Sequence, residues 1–185
     1  MKCYNYYPNY ISDEKNYYFN KLLNEINFKQ DYIFINNLKI KESRLTSWQT
    51  ETDIDCCYGG KKMKASPFSP TVKKIKELIE KDKNIKLDSV LINYYKDGKH
   101  HINYHSDEYD IHKNNDIFVV SFGGIRKFII REKKNHSNRD TFLLSNGDLF
   151  HMYDKCQELY DHSIRRNLKD NITSRISLSF RNLTS

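Results

Sequence analysis

Apolar residues recur at helical spacing in two stretches of the N-terminal half. Over residues 13–27, Phe19, Leu22, Leu23 and Ile26 fall on one face, and Ser12 stands where an N-cap is wanted, so the pattern predicts an amphipathic helix. Ser69-Pro70 opens a second helix, because proline suits the first helical position and Val72, Ile75, Leu78 and Ile79 then share a face. Between the two, residues 32–41 alternate apolar with polar around Asn36-Asn37, the pattern of a hairpin or an irregular strand pair. Residues 56–67, rich in Gly and Lys, read as a loop. From Asp88 onward the period shortens. Strand-like runs at 90–95, 117–122, 127–131, 142–144, 148–153 and 175–180 are separated by Asp97-Gly98, Gly123-Gly124 and Asn146-Gly147. Many short strands at such intervals predict a sandwich or jelly roll. The chain therefore reads as α+β: a mixed segment 1–87, then a β-rich segment 88–185, together forming one compact unit.

Composition narrows the class. A chain of 185 residues is the size of one domain and long enough to bury a core. Hydrophobic content of 38% and charged content of 30% predict a soluble globular protein, not a disordered one. No apolar run approaches the roughly 20 residues of a membrane span. The opening MKCYNYYPNY has no apolar core before a small-residue cleavage site, so an intracellular location is expected, nuclear or cytoplasmic. The formal charge of +7 suits an anionic partner such as nucleic acid, or reflects lysines that are simply solvated; both readings stay open. Cys3, Cys56, Cys57 and Cys156 make no C-x-x-C pair and read as free thiols in a reducing compartment.

The candidate chemistry starts at His105-Ser106-Asp107. Residues i and i+2 of a strand share a face, so His105 and Asp107 can present an imidazole and a carboxylate to one ion. His162, in Asp161-His162-Ser163, is the best third ligand, delivered by a neighbouring strand. Two histidines and one carboxylate on a β scaffold form the facial triad that holds non-haem Fe(II) with open positions. The other histidines fit less well. His100 and His101 are adjacent and belong in a turn, His112 and His136 lie in polar loops, and His151 reads as a satisfied core residue.

Arg175 to Arg181 alternates fully, with Ile176, Leu178 and Phe180 on one face and Arg175, Ser177, Ser179 and Arg181 on the other. This is either an edge strand with a wet face or a strand that packs its apolar side outward and lines a polar pocket. In the second case an arginine fork would grip the carboxylate of an acidic co-substrate.

These segments together carry a family likeness. VLINYYKDGKHHINYHSDE, IFVVSFGGIRKFIIR, SNGDLFHMY, DHS and RISLSFR, in that order, resemble the AlkB family of Fe(II)- and 2-oxoglutarate-dependent dioxygenases, in the branch of nucleic-acid demethylases typified by AlkB homologues two and three. The likeness runs from about Arg44 to Asn182 and is strongest from Val90 on. It implies a double-stranded β-helix core with N-terminal helices and a nucleotide-recognition lid. It also implies Fe(II), 2-oxoglutarate and O₂ as cofactor and co-substrates, and oxidative demethylation of bases such as N1-methyladenine and N3-methylcytosine in DNA. By the same resemblance His105, Asp107 and His162 bind iron. Asn93, Tyr95 and Arg175 contact 2-oxoglutarate, and Arg181 is the second arginine of the site. Ser177 stands where the family usually has Asn, so that contact has a shorter reach. On the substrate side the resemblance places Tyr58 as the aromatic stacked on a flipped base, Glu108 as a base reader and Arg44 as a phosphate contact, with Trp48 in the core. Asn36-Asn37 replaces an apolar finger at the tip of the hairpin that probes duplexes, with Phe34 nearby. The basic residues 133–139 either grip a backbone or are solvated. A monomer acting on nucleic acid is expected. Two alternatives remain: the same chemistry on RNA or protein, and an inactive nucleic-acid-binding module.

Overall fold

The computed structural model describes residues 2–35, 37–107, 116–168 and 172–183. In chain order the elements are β1 (Tyr4–Tyr7), α1 (Lys15–Glu25), β2 (Tyr32–Ile35), β3 (Leu38–Lys41), β4 (Leu45–Thr50), β5 (Cys56–Tyr58), β6 (Lys61–Met63), α2 (Pro70–Lys83) and β7 (Ser89–Tyr95). There follow β8 (Ile102–His105), β9 (Ile117–Gly123), β10 (Arg126–Glu132), β11 (Arg139–Leu144), β12 (Leu149–Met152), α3 (Cys156–Leu159), β13 (Tyr160–Ile164) and β14 (Arg175–Arg181).

Two antiparallel sheets form the jelly roll. The larger runs β1-β12-β9-β14-β7-β4 and the smaller β11-β10-β13-β8. Two small hairpins, β2-β3 and β5-β6, stand apart from them. The fold is the expected double-stranded β-helix.

Alternation along the central strands sorts side chains into two cores. Ile176, Leu178 and Phe180 of β14 join Ile92 and Val120 of the flanking strands and meet Leu22 of α1 and Ile75 and Ile79 of α2. Each such fully buried side chain contributes roughly 1.5–3 kcal/mol by leaving water. The second core lies between the sheets, where Val119 and Tyr95 face Phe128 and Ile130 of β10 and Ile164 of β13. All of β14 is buried, flanked by β9 and β7, so it is no wet edge. Its polar face points into the jelly roll.

Several boundaries differ from the sequence reading. Helix α1 begins at Lys15 after Glu14 in a left-handed conformation (φ 56°), and Ser12 does not cap it. In α2, which starts at Pro70 as expected, Leu78 is exposed while Lys76 is buried. The Lys76 ammonium pairs with Glu80 at 3.1 Å and Glu51 at 3.2 Å, which makes its burial tolerable. Residues 56–67 are not a plain loop. Gly59 and Gly60 both adopt positive φ (53° and 70°), as a tight two-residue hairpin turn demands, and so close β5 on β6. Trp48 is buried as expected, its Nε1–H donating to the Ile54 carbonyl at 2.9 Å. Four cysteines are free thiols; Cys57 alone of them is exposed. No helix among the described residues is long and apolar enough to cross a membrane.

Candidate active site

The register of the sheets assembles the site. His105 at the end of β8 pairs directly with His162 on β13, so their side chains share a face and the rings lie 4.3 Å apart. Asp107 is not on the strand, as the i, i+2 argument assumed. The chain leaves the ladder after His105 because Ser106 Oγ–H donates to the Tyr160 carbonyl (3.1 Å) and the Asp107 amide to Gln157 Oε1 (2.9 Å). The carboxylate still reaches both imidazoles. Asp107 Oδ1 lies 3.4 Å from His105 Nε2 and 3.9 Å from His162 Nε2. Ligand atoms from the three residues all fall within 4.8 Å of one another.

The protonation pattern suits a cation. The Asn103 carbonyl, 2.8 Å from His105 Nδ1, can only accept, so Nδ1 donates to it and Nε2 is the nitrogen turned toward Asp107. Burial, reinforced by the neighbouring His105, lowers His162 to about 3, which keeps that imidazole neutral. Burial pushes Asp107 toward its protonated form, but contact with His105 and the charge of Arg181 outweigh it and hold the carboxyl well below the usual carboxylate range. A hard-oxygen and two-imidazole donor set of this kind fits Fe(II).

The cluster opens on a cavity of about 550 Å³. Its floor is the polar face of the larger sheet. Ser177 lies opposite Asn93 on one side and Ser121 on the other, and Arg175 lies opposite Tyr95. Thus Asn93, Tyr95, Arg175 and Ser177 all line the cavity with the triad. Arg175 is 1% exposed; its Nη2 donates to Ser121 Oγ at 2.8 Å, while Nε and Nη1 have no hydrogen-bond partner among the described residues. Burial pulls the guanidinium down to about 10, with Tyr95 favouring the charged form. It lies 5.3 Å from the Tyr95 ring centroid, and Arg126 lies 5.5 Å from the same centroid. A buried cation with unused donors facing a cavity is what a carboxylate ligand satisfies, so the residues present fit 2-oxoglutarate as well as iron.

Arg181, the second arginine of the resemblance, is not among the residues that line the cavity with Arg175. Its Nη2 lies 3.7 Å from Asp107 Oδ2, against the triad carboxylate. Arg44 is not on the surface, where a phosphate contact belongs. It is 5% exposed, donates from Nε to Asn93 Oδ1 at 2.6 Å, and lies 3.4 Å from Glu42. Tyr58 lines the cavity, and its hydroxyl donates to Glu42 Oε1 at 2.7 Å. Glu108 lies outside the described residues, as do Asn36 and His112. His151 is the satisfied histidine expected, 2.6 Å from Asp116 and stacked on Phe118. Lys133, from the basic loop, donates to the Gln157 carbonyl at 2.7 Å.

Comparison with known proteins agrees with this geometry. The family model of the 2OG-Fe(II) oxygenase superfamily matches residues 4–181. The chain belongs to this superfamily. Within it, the chain is an AlkB-type oxygenase, using Fe(II), 2-oxoglutarate and O₂. It is 39% identical over 167 residues to uncharacterized protein R406 of Acanthamoeba polyphaga mimivirus, covering 89% of this chain and 87% of that protein. It is 30% identical over 134 residues to the human DNA oxidative demethylase ALKBH2, covering 68% of this chain and 51% of that protein. The chain thus spans about half the length of that demethylase. The solved structure of OsALKBH1 shares the fold, with a TM-score of 0.68 at 15% identity over 98% of this chain and 99% of that one.

Four residues around this oxygenase site escaped the sequence reading: Glu42, Lys61, Arg126 and Gln157. Each is a buried polar side chain, and all but Arg126 lie outside the quoted motifs; burial of a charge is invisible without the fold.

Proposed function

We propose that this oxygenase oxidatively removes N-methyl groups from bases of nucleic acid, DNA in the first instance. One observation carries the reading. A single cavity has the His105-Asp107-His162 cluster on one wall and the hydroxyl-anchored ring of Tyr58 on another, with the exposed cations Lys41 and Arg166 among its lining residues. A cavity of this size admits one extruded base. The cations suit flanking phosphates. The hairpin β2-β3 borders it and exposes Phe34, Leu38 and Ile40, apolar surface suited to unstacked bases. The human relative's name, a DNA oxidative demethylase, points the same way.

In this reading His105, Asp107 and His162 hold the iron. Arg175 takes the distal carboxylate of 2-oxoglutarate, and Asn93, Tyr95 and Ser177 bind the rest of it. Arg181 fixes Asp107 from behind, and Tyr58 stacks on the base. Glu108 reads the base edge. When bound, Fe(II) with 2-oxoglutarate and O₂ supplies the oxidation, releasing succinate, CO₂ and formaldehyde. The protein's own part is placement: it orients the base toward the metal side of the cavity and keeps water from it.

The test is formaldehyde release from single- and double-stranded DNA and RNA carrying N1-methyladenine or N3-methylcytosine, with iron and 2-oxoglutarate omitted in turn. Turnover is expected on DNA and lost in His105→Ala. Undiminished release by His105→Ala, or 2-oxoglutarate consumption with no methylated oligonucleotide processed, would refute the proposal.

A further inference from the structure

Above the triad, a second charged cluster crosses the cavity wall. The Glu42 carboxylate, its side chain wholly buried, follows β3 and points at three partners. It accepts from Lys61 Nζ of β6 at 2.6 Å and from the Tyr58 hydroxyl of β5 at 2.7 Å, and it lies 3.4 Å from Arg44 Nη1. Lys61 Nζ also donates to Thr46 Oγ1 at 2.6 Å and stands 5.4 Å from the centre of the Tyr58 ring. Arg44 Nε completes the chain by donating to Asn93 Oδ1 on the cavity floor. The segment between β3 and β4 and the hairpin β5-β6 are therefore joined through one carboxylate, and Arg44 extends the link to β7.

Buried charges are costly unless paired, and an apolar cluster of equal volume would be no less stable. The network's geometry gives it another use. A guanidinium has only donors, so Arg44 selects one of the two orientations of the Asn93 amide: Oδ1 toward Arg44, with the Nδ2 hydrogens left for the cavity that Asn93 lines. Glu42 in turn fixes where the Arg44 fork lies. The same carboxylate sets the Tyr58 ring by holding its hydroxyl, while Lys61 sits near that ring.

We propose that Glu42 is a positioning residue with two outputs: through Arg44 it presents the Asn93 amide as a donor to the co-substrate, and through the Tyr58 hydroxyl it presents an aromatic ring to the substrate. The first output rests on Asn93 contacting 2-oxoglutarate, the second on Tyr58 stacking with a base. Lys61 neutralises the carboxylate so that it can be buried.

Two double-mutant cycles test this. The first measures 2-oxoglutarate affinity by calorimetry on the Mn(II)-loaded full chain, which needs no nucleic acid. Glu42→Gln should weaken binding about tenfold, the scale of one hydrogen bond to a charged group. Asn93→Ala should weaken it as well, and the double variant no further than Asn93→Ala alone. The second cycle measures KM for a methylated oligonucleotide at saturating 2-oxoglutarate. Glu42→Gln and Tyr58→Phe should each raise it, and the double variant no more than the larger single effect. Additive losses in either cycle, or wild-type 2-oxoglutarate affinity in Glu42→Gln, would overturn the proposal. Should Glu42→Gln alone not fold, Glu42→Gln/Lys61→Met carries the same comparisons, because it also removes the ammonium left without its carboxylate. The first cycle stands even if no methylated oligonucleotide is turned over, so a wrong substrate and a wrong clamp give different results.

Discussion

Replacing Arg175 with methionine should make the empty protein more stable and the enzyme useless. The guanidinium is 1% exposed and donates to Ser121, while Nε and Nη1 have no hydrogen-bond partner among the described residues. Each orphaned buried donor costs about 1–3 kcal/mol, so the pair costs about 2–6 kcal/mol, against about 1 kcal/mol gained from Ser121. Methionine fills similar length without donors, and a net gain of about 1–5 kcal/mol follows. For a chain of this size 1 kcal/mol is about 2–4 °C, so the melting temperature without 2-oxoglutarate should rise by about 2–20 °C. Ligand reverses the order. At 100 times its Kd, 2-oxoglutarate stabilises the wild type by about 2.7 kcal/mol through mass action, and it should leave Arg175→Met unmoved. Differential scanning fluorimetry with Mn(II), with and without 2-oxoglutarate, reads both shifts. If Arg175→Met melts well below the wild type without ligand, the guanidinium is structural support and not an unfilled carboxylate site. If it keeps the full ligand shift, the carboxylate goes elsewhere.

Arg126 is the contrasting case, a buried arginine with partners: it donates to the carbonyls of Asp97 (3.1 Å), His100 (2.6 Å) and Arg165 (2.9 Å). Arg126→Met leaves three carbonyls without this donor, at about 1–3 kcal/mol for each that is buried, seen as a lower urea midpoint with or without ligand; an unchanged midpoint refutes the clamp. Gln157→Leu removes the acceptor of the Asp107 amide, and loss of such a supporting bond should weaken Mn(II) binding about 10–100-fold by calorimetry, with the melting temperature of the metal-free protein as control. Burial lowers the His100 pKa below its ordinary 6.5. The unfolded chain therefore binds a proton that the folded chain resists, and stability falls as pH drops below about 6.5. His100→Gln should make the decline between pH 7 and pH 5 shallower, measured by chemical denaturation; an equal slope would remove His100 from that account.

Strands β7, β9, β12 and β14 of the larger sheet were legible as strand-like runs in the sequence. Period two survives in Arg175–Arg181 even though both faces are buried. Short elements were not legible. Strand β1 is tyrosine-rich and pairs with β12 across the length of the chain, a register that nothing local specifies. The hairpin β5-β6 has three-residue strands, too short for any period to show, and only its paired glycines signal it. The helix start failed for a related reason: Ser12 is a good cap by type, but the chain turns at Glu14 instead.

In the site the division is sharper. His105, Asp107, His162 and the alternating arginines are readable because a metal and a dicarboxylate demand particular groups at particular spacings. What holds them in place is under no such demand. The Asp107 amide needs an acceptor, and Gln157 supplies it from a four-residue helix 50 positions away. Asn93 needs a donor on one side, and Arg44 supplies it from 49 positions away. The resemblance put Arg44 on a phosphate because Arg44-Leu45-Thr46-Ser47-Trp48 is similar to a nucleotide-recognition motif. Its burial becomes sensible only when Glu42 and Lys61 are seen beside it, since a carboxylate between two cations costs far less to bury than any one of the three alone. Reacting groups therefore leave a pattern along the chain, whereas their supports leave one only in space, and the variants that separate Glu42 from Asn93 bear on the part of this site that no spacing in the sequence reveals.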